Sequence, residues 1–255
     1  MACHRLAESI FLMNIDLPTS SGVYIFKNSQ GEIIYIGKAK NLRVRVRSYF
    51  QPPIKLGPKT QKLVSEIATL EHIEVGSEIE ALLLESNLIK KFKPQYNIAL
   101  KDDRLPYFIH LTRDHFPIPI VNHESKNALA GPFLNSFIPK SILRQFRKIT
   151  PYCLGKNLKK PCFYAHMGLC SPCPGDPNTK LSDYLKSISR LKKLIKGQFK
   201  SVKWQLQKDM HQASKIQNFE LAAVYRNKLK NLDYLLTRPV SPEDYWANPN
   251  LVQDK

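Results

Sequence analysis

The N-terminal part of the chain begins with two strand-like hydrophobic runs. Gly22–Phe26 and Ile33–Ile36 are rich in β-branched and aromatic residues, and they flank a polar segment that contains Gly31. Such runs on either side of a glycine-containing turn predict a β-hairpin. Gly37 follows directly, and we expect it to break the second strand.

The hydrophobic pattern then changes to helical spacing. Asn41 is placed to cap a helix, and Pro52 and Pro53 are expected to end it. The apolar stripe of this helix consists of Leu42, Val46, Tyr49 and Phe50. A second helical stretch is predicted from Thr60 to Leu70, followed by a short strand from His72 to Val75.

A stronger helix closes this part of the chain. Ser77 and Glu80 have the spacing of a capping box, which predicts a helix from Glu78 to about Phe92. Pro94 is expected to end it. The first segment is therefore predicted to be an α/β domain with a small central antiparallel sheet and helices around it.

The patterns divide the chain into three segments and a tail. We expect a first domain over residues 18–100, a mixed, cysteine-rich region over 101–178, and a helical region over 179–237. An amphipathic helix is predicted near Pro139–Thr150 in the second segment. The third contains a helical hairpin over about 203–236, with its turn near Gln217 and Asn218, and residues 238–255 are expected to be a poorly ordered tail.

Composition narrows the classes of partner. The 255 residues include 39 Lys and Arg against 21 Asp and Glu. The net charge of +18 indicates a polyanionic partner, either a nucleic acid or an anionic membrane surface. No window has the length of uncharged apolar sequence that a membrane-spanning helix needs. We therefore expect a cytoplasmic protein without a membrane partner. We also expect the protein to be a monomer. In a cytoplasmic protein, five cysteines argue against disulfides and leave metal binding open.

One carboxylate stands out on the predicted helix. The neighbours of Glu85 on its helix face are all apolar: Ala81, Leu82, Leu88, Ile89 and Phe92. A carboxylate on an inward face needs a partner, and a divalent metal ion is a suitable one. Glu80 differs, because capping at the first turn explains it.

Seven blocks in order resemble the GIY-YIG nucleases of the UvrC family, extending from about residue 18 to 236. They are Gly22-Val-Tyr24, Tyr35–Leu42, Glu80–Lys90, Lys93–Asn97 with Lys101–Asp103, Gly131-Pro-Phe133, the cysteines, and a UVR-type pattern that includes Met210 and Phe219. The resemblance implies a DNA endonuclease of nucleotide excision repair. It also implies a short, Cho-like member that makes only the 3′ incision near a lesion.

The resemblance assigns the residues of the nuclease site. Lys38 lies three residues after Tyr35, across the expected turn at Gly37, so we expect its ammonium to reach the phenol. The resemblance makes Tyr35 the general base and Lys38 the cation that tunes it. Tyr24 would line the same pocket, Arg45 would stabilise the phosphate, and Asn97 would hydrogen-bond in the site. It makes Glu85 the ligand of one Mg²⁺ or Mn²⁺. The basic residues expected to contact DNA are Lys40, Arg43 and Arg47.

Four cysteines form a cluster in sequence. Cys153, Cys162, Cys170 and Cys173, here named the cysteine cluster, are separated by eight, seven and two residues and are interspersed with prolines. Four thiolates suit either Zn²⁺ or an iron–sulfur cluster. The resemblance favours [4Fe–4S], although the last pair is one residue closer together than is usual in the family.

The helical hairpin implies a protein partner. Two short helices bury their apolar faces poorly unless they pack on each other and on a partner. The resemblance implies docking on UvrB, which acts after UvrA on damaged double-stranded DNA. The residues expected to bind UvrB are Met210, Ala213, Phe219, Ala222, Ala223 and Arg226. Two alternatives remain: a stand-alone GIY-YIG nuclease with its own DNA specificity, and a nuclease-dead UvrB-binding protein.

Overall fold

The first sheet is built from three antiparallel strands. In the computed structural model, which describes residues 16–52, 56–99, 105–155 and 160–237, these are β1 (Gly22–Lys27), β2 (Ile33–Ala39) and β3 (Thr69–Glu74). The order is β2-β1-β3, which leaves β2 at an edge. The predicted hairpin is present, but the predicted break at Gly37 is wrong, because Gly37 stays paired with Tyr24 of β1.

Short helices follow these strands. They are α1 (Leu42–Arg47), a 3₁₀ turn (Ser48–Phe50), α2 (Pro58–Glu66), α3 (Glu78–Phe92) and α4 (Gln95–Ala99). Asn41 caps α1 by accepting a hydrogen bond from the backbone N–H of Val44. The second helix ends earlier than predicted because Thr69 and Leu70 pair with β1 as the start of β3.

Helix α3 has the predicted bounds. Ser77 Oγ accepts a hydrogen bond from the backbone N–H of Glu80 at 3.3 Å, as a capping box requires. The return bond is displaced by one residue, because Glu80 Oε2 accepts from the N–H of Gly76 at 2.7 Å. Lys93, with φ of 47°, ends the helix in the left-handed conformation before Pro94.

A second antiparallel sheet forms the middle of the chain. Its strands are β4 (Tyr107–Leu111), β5 (Pro119–Asn122) and β6 (Ala130–Phe133), in the order β5-β4-β6. Helix α5 (Phe137–Arg147) follows, and it begins earlier than predicted because Pro139 is accommodated in the first turn. A single turn, α6 (Phe163–His166), lies within the cysteine-rich loop.

The C-terminal part consists of three helices. They are α7 (Leu181–Ile195), α8 (Phe199–Lys215) and α9 (Phe219–Leu236). The turn between α8 and α9 lies at the predicted place, with Gln217 in the left-handed conformation and Asn218 capping α9. No helix in the described ranges has the length and hydropathy needed to cross a membrane. The predicted tail lies outside the described residues.

Helix α3 contributes to two hydrophobic cores. On one face, Ala81 packs with residues of β1 and β2, including Val23 and Ile36. On the other, Leu83 belongs to a larger core that contains residues of the second sheet, α5 and the three C-terminal helices. The hydroxyl of Ser86, also buried, accepts a hydrogen bond from the N–H of Gly131 in β6 at 2.7 Å.

Candidate active site

Three tyrosine hydroxyls meet on one face of the first sheet. Tyr24 comes from β1, Tyr35 from β2 and Tyr49 from the 3₁₀ turn after α1, and they are named the tyrosine cluster below. The Tyr49 hydroxyl lies 2.8 Å from that of Tyr24 and donates to that of Tyr35 at 3.3 Å. Arg45 donates to the Tyr49 hydroxyl at 3.3 Å. Tyr49 therefore links the predicted Tyr24, Tyr35 and Arg45.

The free edge of β2 positions two further side chains. Because no strand within the described residues pairs with the outer side of β2, its outward N–H and C=O groups need other partners. Asn97 satisfies both groups of Ile36, since its Oδ1 accepts from the Ile36 N–H at 2.8 Å and its Nδ2 donates to the Ile36 carbonyl at 2.7 Å. Glu85 Oε1 accepts from the N–H of Lys38 at 3.0 Å.

Glu85 is partly buried against the sheet. Ala81 on the same face is buried and belongs to the core between α3 and the strands, whereas Phe92 at the helix end is 43 % exposed. Burial raises the pKa of the Glu85 carboxyl, and the bond from the Lys38 N–H and the charges of Lys38 and Arg45 oppose that rise. A nearby cation would favour the ionised carboxylate further.

The electrostatics of Tyr35 differ from the prediction. Tyr35 and Lys38 are an odd number of residues apart in a continuous strand, so their side chains lie on opposite faces of the sheet. The prediction that the Lys38 ammonium reaches the Tyr35 phenol across a turn at Gly37 is therefore wrong. Burial and the neighbouring Tyr49 raise the pKa of Tyr35, so this arrangement favours the protonated phenol.

The residues predicted to contact DNA lie on α1 and just before it. Arg43 donates to the Leu17 carbonyl at 2.6 Å and forms an ion pair with Asp16 at 2.8 Å. The Lys40 ammonium lies 3.5 Å from the Glu78 carboxylate. Arg47 is exposed.

Tyr49 is a site residue that sequence reasoning treated only as part of an apolar stripe. Its ring is buried, with 7 % exposure, which fits that interpretation. Its hydroxyl nevertheless connects Tyr24 and Tyr35, and the Arg45 guanidinium lies 5.1 Å from its ring centre. The available signal was a phenol, instead of a phenylalanine, at a buried helical position, since a buried hydroxyl needs a partner.

The cysteine cluster is assembled in space. The Sγ atoms of Cys153, Cys162, Cys170 and Cys173 all lie within 4.8 Å of one another. Cys153, Cys170 and Cys173 are buried, and all four are free thiols. Burial raises the pKa values of Cys153 and Cys170. Four thiols that converge in this way fit a metal centre with four thiolate ligands, whose positive charge would compensate for their ionisation.

The hairpin separates the residues that were predicted to bind a partner. Ala213 is buried between the helices and Met210 is partly buried. Ala222 and Ala223 are intermediate in exposure, while Arg226 is exposed. Phe219 is 67 % exposed, and the neighbouring Ile216, Leu221 and Val224 are exposed too, although the sequence prediction did not include them. These four exposed apolar side chains lie at the hairpin turn and in the first two turns of α9.

Models of known families match two parts of the chain, the first domain and the helical hairpin. Residues 20–98 match the model of the UvrC-like GIY-YIG domain. The chain belongs to the UvrC-like GIY-YIG family. Residues 200–235 match the UvrB/uvrC motif and coincide with the helical hairpin.

Family members are similar along most of this chain. The UvrABC system protein C of Methanococcus maripaludis is 38 % identical over 246 residues, which cover 94 % of this chain and 46 % of that protein. The protein of the same name from Streptococcus pneumoniae (strain JJA) is 41 % identical over 230 residues, covering 87 % and 36 %. The chain thus spans less than half the length of these relatives.

A solved structure is similar over the nuclease domain. The GIY-YIG N-terminal endonuclease domain of UvrC from Thermotoga maritima, bound to magnesium as its catalytic divalent cation, is 46 % identical. The similarity covers 35 % of this chain and 94 % of that one, with a TM-score of 0.31.

Proposed function

We propose that this chain is a metal-dependent DNA endonuclease of nucleotide excision repair. The observation that carries the proposal is that Glu85, bonded to the Lys38 N–H at the edge of β2, lies within electrostatic range of both Tyr35 and Arg45. Glu85 and Tyr35 are close enough for the carboxylate charge to act on the phenol, and Arg45 is close enough to act on Glu85. A proton acceptor, a phosphate-binding cation and a metal-binding carboxylate are the groups that phosphodiester hydrolysis needs.

The Glu85 carboxylate fits a hard divalent cation. Oε1 accepts from the Lys38 N–H, and within the described part of the chain Oε2 has no hydrogen-bond donor. An anionic oxygen at the rim of a site suits Mg²⁺ or Mn²⁺, which keep several waters and take few protein ligands. When bound, such an ion polarises the phosphoryl group and acidifies its water.

The tyrosine cluster then positions and moves the proton. Tyr35 would accept the proton of the attacking water, although burial keeps it protonated in the arrangement described. Positive charge held at Glu85 would lower the pKa of Tyr35 and release it for this role. Tyr49 would hold the Tyr24 and Tyr35 hydroxyls in place, and Arg45 would bind the phosphate.

For partners, we propose UvrB and damaged double-stranded DNA, with UvrA acting upstream and this chain making the 3′ incision. The UvrB/uvrC motif over residues 200–235 and the exposed apolar side chains near the hairpin turn, Phe219 among them, support docking by the hairpin. The net charge of +18 supports binding to DNA phosphates.

For the cysteine cluster, we propose a bound metal centre, [4Fe–4S] as the family resemblance implies, with Zn²⁺ as the alternative. The close approach of the four thiols supports either one. Anaerobic purification followed by iron, sulfide and zinc analysis distinguishes them. Iron with sulfide and a visible absorbance supports the cluster, and one zinc per chain without iron supports the alternative.

One experiment tests the nuclease proposal. The protein is incubated with UvrA, UvrB and an end-labelled damaged duplex, with and without Mg²⁺, and the nick is mapped. We expect a 3′ incision that requires Mg²⁺ and is lost in Glu85→Gln. Glu80→Gln is the matched control on the same helix. Glu80 accepts a hydrogen bond from the Gly76 N–H at the helix start, so we expect the Glu80→Gln protein to remain active.

The other outcomes select the alternatives. Equal cutting without UvrB would indicate a stand-alone nuclease, and binding to UvrB without any cutting would indicate a nuclease-dead partner protein. Wild-type activity in Glu85→Gln would remove Glu85 from the site.

A further inference from the structure

Arg147, the last residue of α5, is an arginine buried beside the cysteine-rich loop. Only 6 % of its surface is exposed. Its Nε donates to the Leu169 carbonyl at 2.9 Å. Its guanidinium carbon lies 4.0 Å from the ring centre of Tyr164 and 5.2 Å from that of Tyr152.

Each of these contacts involves a residue close to a cysteine of the cluster. Tyr152 directly precedes Cys153, and Leu169 directly precedes Cys170. Tyr164 lies on α6, whose N-cap residue is Cys162. One side chain therefore contacts three of the segments that carry the four thiols.

The charge of Arg147 has no counterpart in the described part of the chain. Its Nη2 is buried without a hydrogen-bond partner, and no carboxylate there forms an ion pair with it. An unpaired guanidinium in a protein interior is unfavourable unless a negative charge lies nearby. Four thiolates around one Zn²⁺, or around a four-iron core, leave a centre with net negative charge.

We propose that Arg147 is a positioning residue of the cysteine centre. It holds the segments around Cys153, Cys162 and Cys170 in place, and its charge offsets that of the metal-loaded thiolates. The proposal rests on the metal centre proposed above. It means that Arg147 stabilises the loaded protein through its charge and destabilises the metal-free protein through the same charge.

The test compares Arg147→Met with Arg144→Met in the full chain, purified anaerobically. Arg144 lies on the same helix and is exposed, which makes it the matched control. The readouts are metal content, metal release to a chelator, and thermal unfolding with and without metal. For Arg147→Met we expect metal affinity to fall by about tenfold or more, as for other groups that support metal ligands. The metal-free form should unfold at the same or a higher temperature than wild type, and Arg144→Met should behave as wild type.

A role in packing alone gives a different result. Equal loss of stability with and without metal, together with unchanged metal affinity, would overturn the proposal. If Arg147→Met does not fold, Arg147→Gln replaces it, because the amide can still donate to Leu169 but carries no charge. Wild-type metal affinity in that variant would equally overturn it. The metal content of the wild-type protein is measured first. A wild-type chain that binds neither iron nor zinc would refute the metal centre itself.

Discussion

A side chain at position 37 would overlap with Tyr24 of the tyrosine cluster. Gly37 pairs with Tyr24 across the β1–β2 hairpin. A Cβ atom at position 37 would lie 2.3 Å from the Tyr24 hydroxyl oxygen and 2.4 Å from its Cζ. The Tyr24 ring is only 1 % exposed and packs 5.3 Å, centre to centre, from Phe26. The ring therefore has little room to move when Gly37 becomes alanine.

The expected cost follows from these contacts. Forcing extra volume into a packed core costs about 1–3 kcal/mol. Displacing the Tyr24 hydroxyl also breaks its 2.8 Å bond to Tyr49, which adds about 1 kcal/mol. We expect Gly37→Ala to lower the free energy of unfolding by about 2–4 kcal/mol. Nicking activity should fall by more than the loss of folded protein alone would explain, because the Tyr49 hydroxyl also bonds to that of Tyr35.

The assay is urea unfolding of Gly37→Ala in wild-type and Tyr24→Ala backgrounds. Without the Tyr24 ring the added methyl group has space, so the same substitution should then cost less than about 0.5 kcal/mol, a strong coupling between the two sites. An equal cost in both backgrounds would refute the steric explanation. A Gly37→Ala protein as stable and active as wild type would refute the whole argument.

Three further predictions test other parts of the structure. Tyr35→Phe should reduce Mg²⁺-dependent nicking by at least about 100-fold with little change in stability, and a small effect would leave Tyr35 as a packing residue. Asn97→Ala removes both bonds to Ile36 and should cost about 2 kcal/mol in urea unfolding; an unchanged midpoint would contradict this. Burial and the charge of Arg190 lower the pKa of Lys228 to about 8. Since an unfolded lysine has a pKa near 10.4, wild-type stability should rise as pH increases from about 8 to 10. Lys228→Met should lose that rise, and Lys230→Met, at an exposed position, should keep it.

Local signals in the sequence were sufficient for much of the nuclease domain. Helix α3 begins after the cap at Ser77 and ends at the left-handed residue before Pro94, which are the bounds that the pattern predicted. The apolar neighbours of Glu85 correctly placed it against the sheet. These features depend on residues within one or two helical turns, so they can be read from a single sequence.

Features that depend on pairing between distant segments could not be read in this way. Thr69 and Leu70 have a helical pattern, but their pairing with β1 makes them a strand. Gly37 resembles a strand breaker until its partner Tyr24 is known, since the absent side chain makes room for the Tyr24 phenol. The contacts of Arg147 join residues from three loop segments, and no periodicity connects them.

Helix α3 has a consequence for how such nuclease domains can be exchanged between proteins. On one face, Ala81, Leu88 and Ile89 pack against the strands of the first sheet. On the other, Leu83 packs in the larger core and Ser86 bonds to Gly131 of the second sheet. Recombination that joined residues 20–98 to a different middle segment would leave Leu83 without its packing partners. The donor domain would then need polar substitutions on that face, or the recipient would need a matching apolar surface. The two packing faces of this one helix thus limit which partners the domain can acquire.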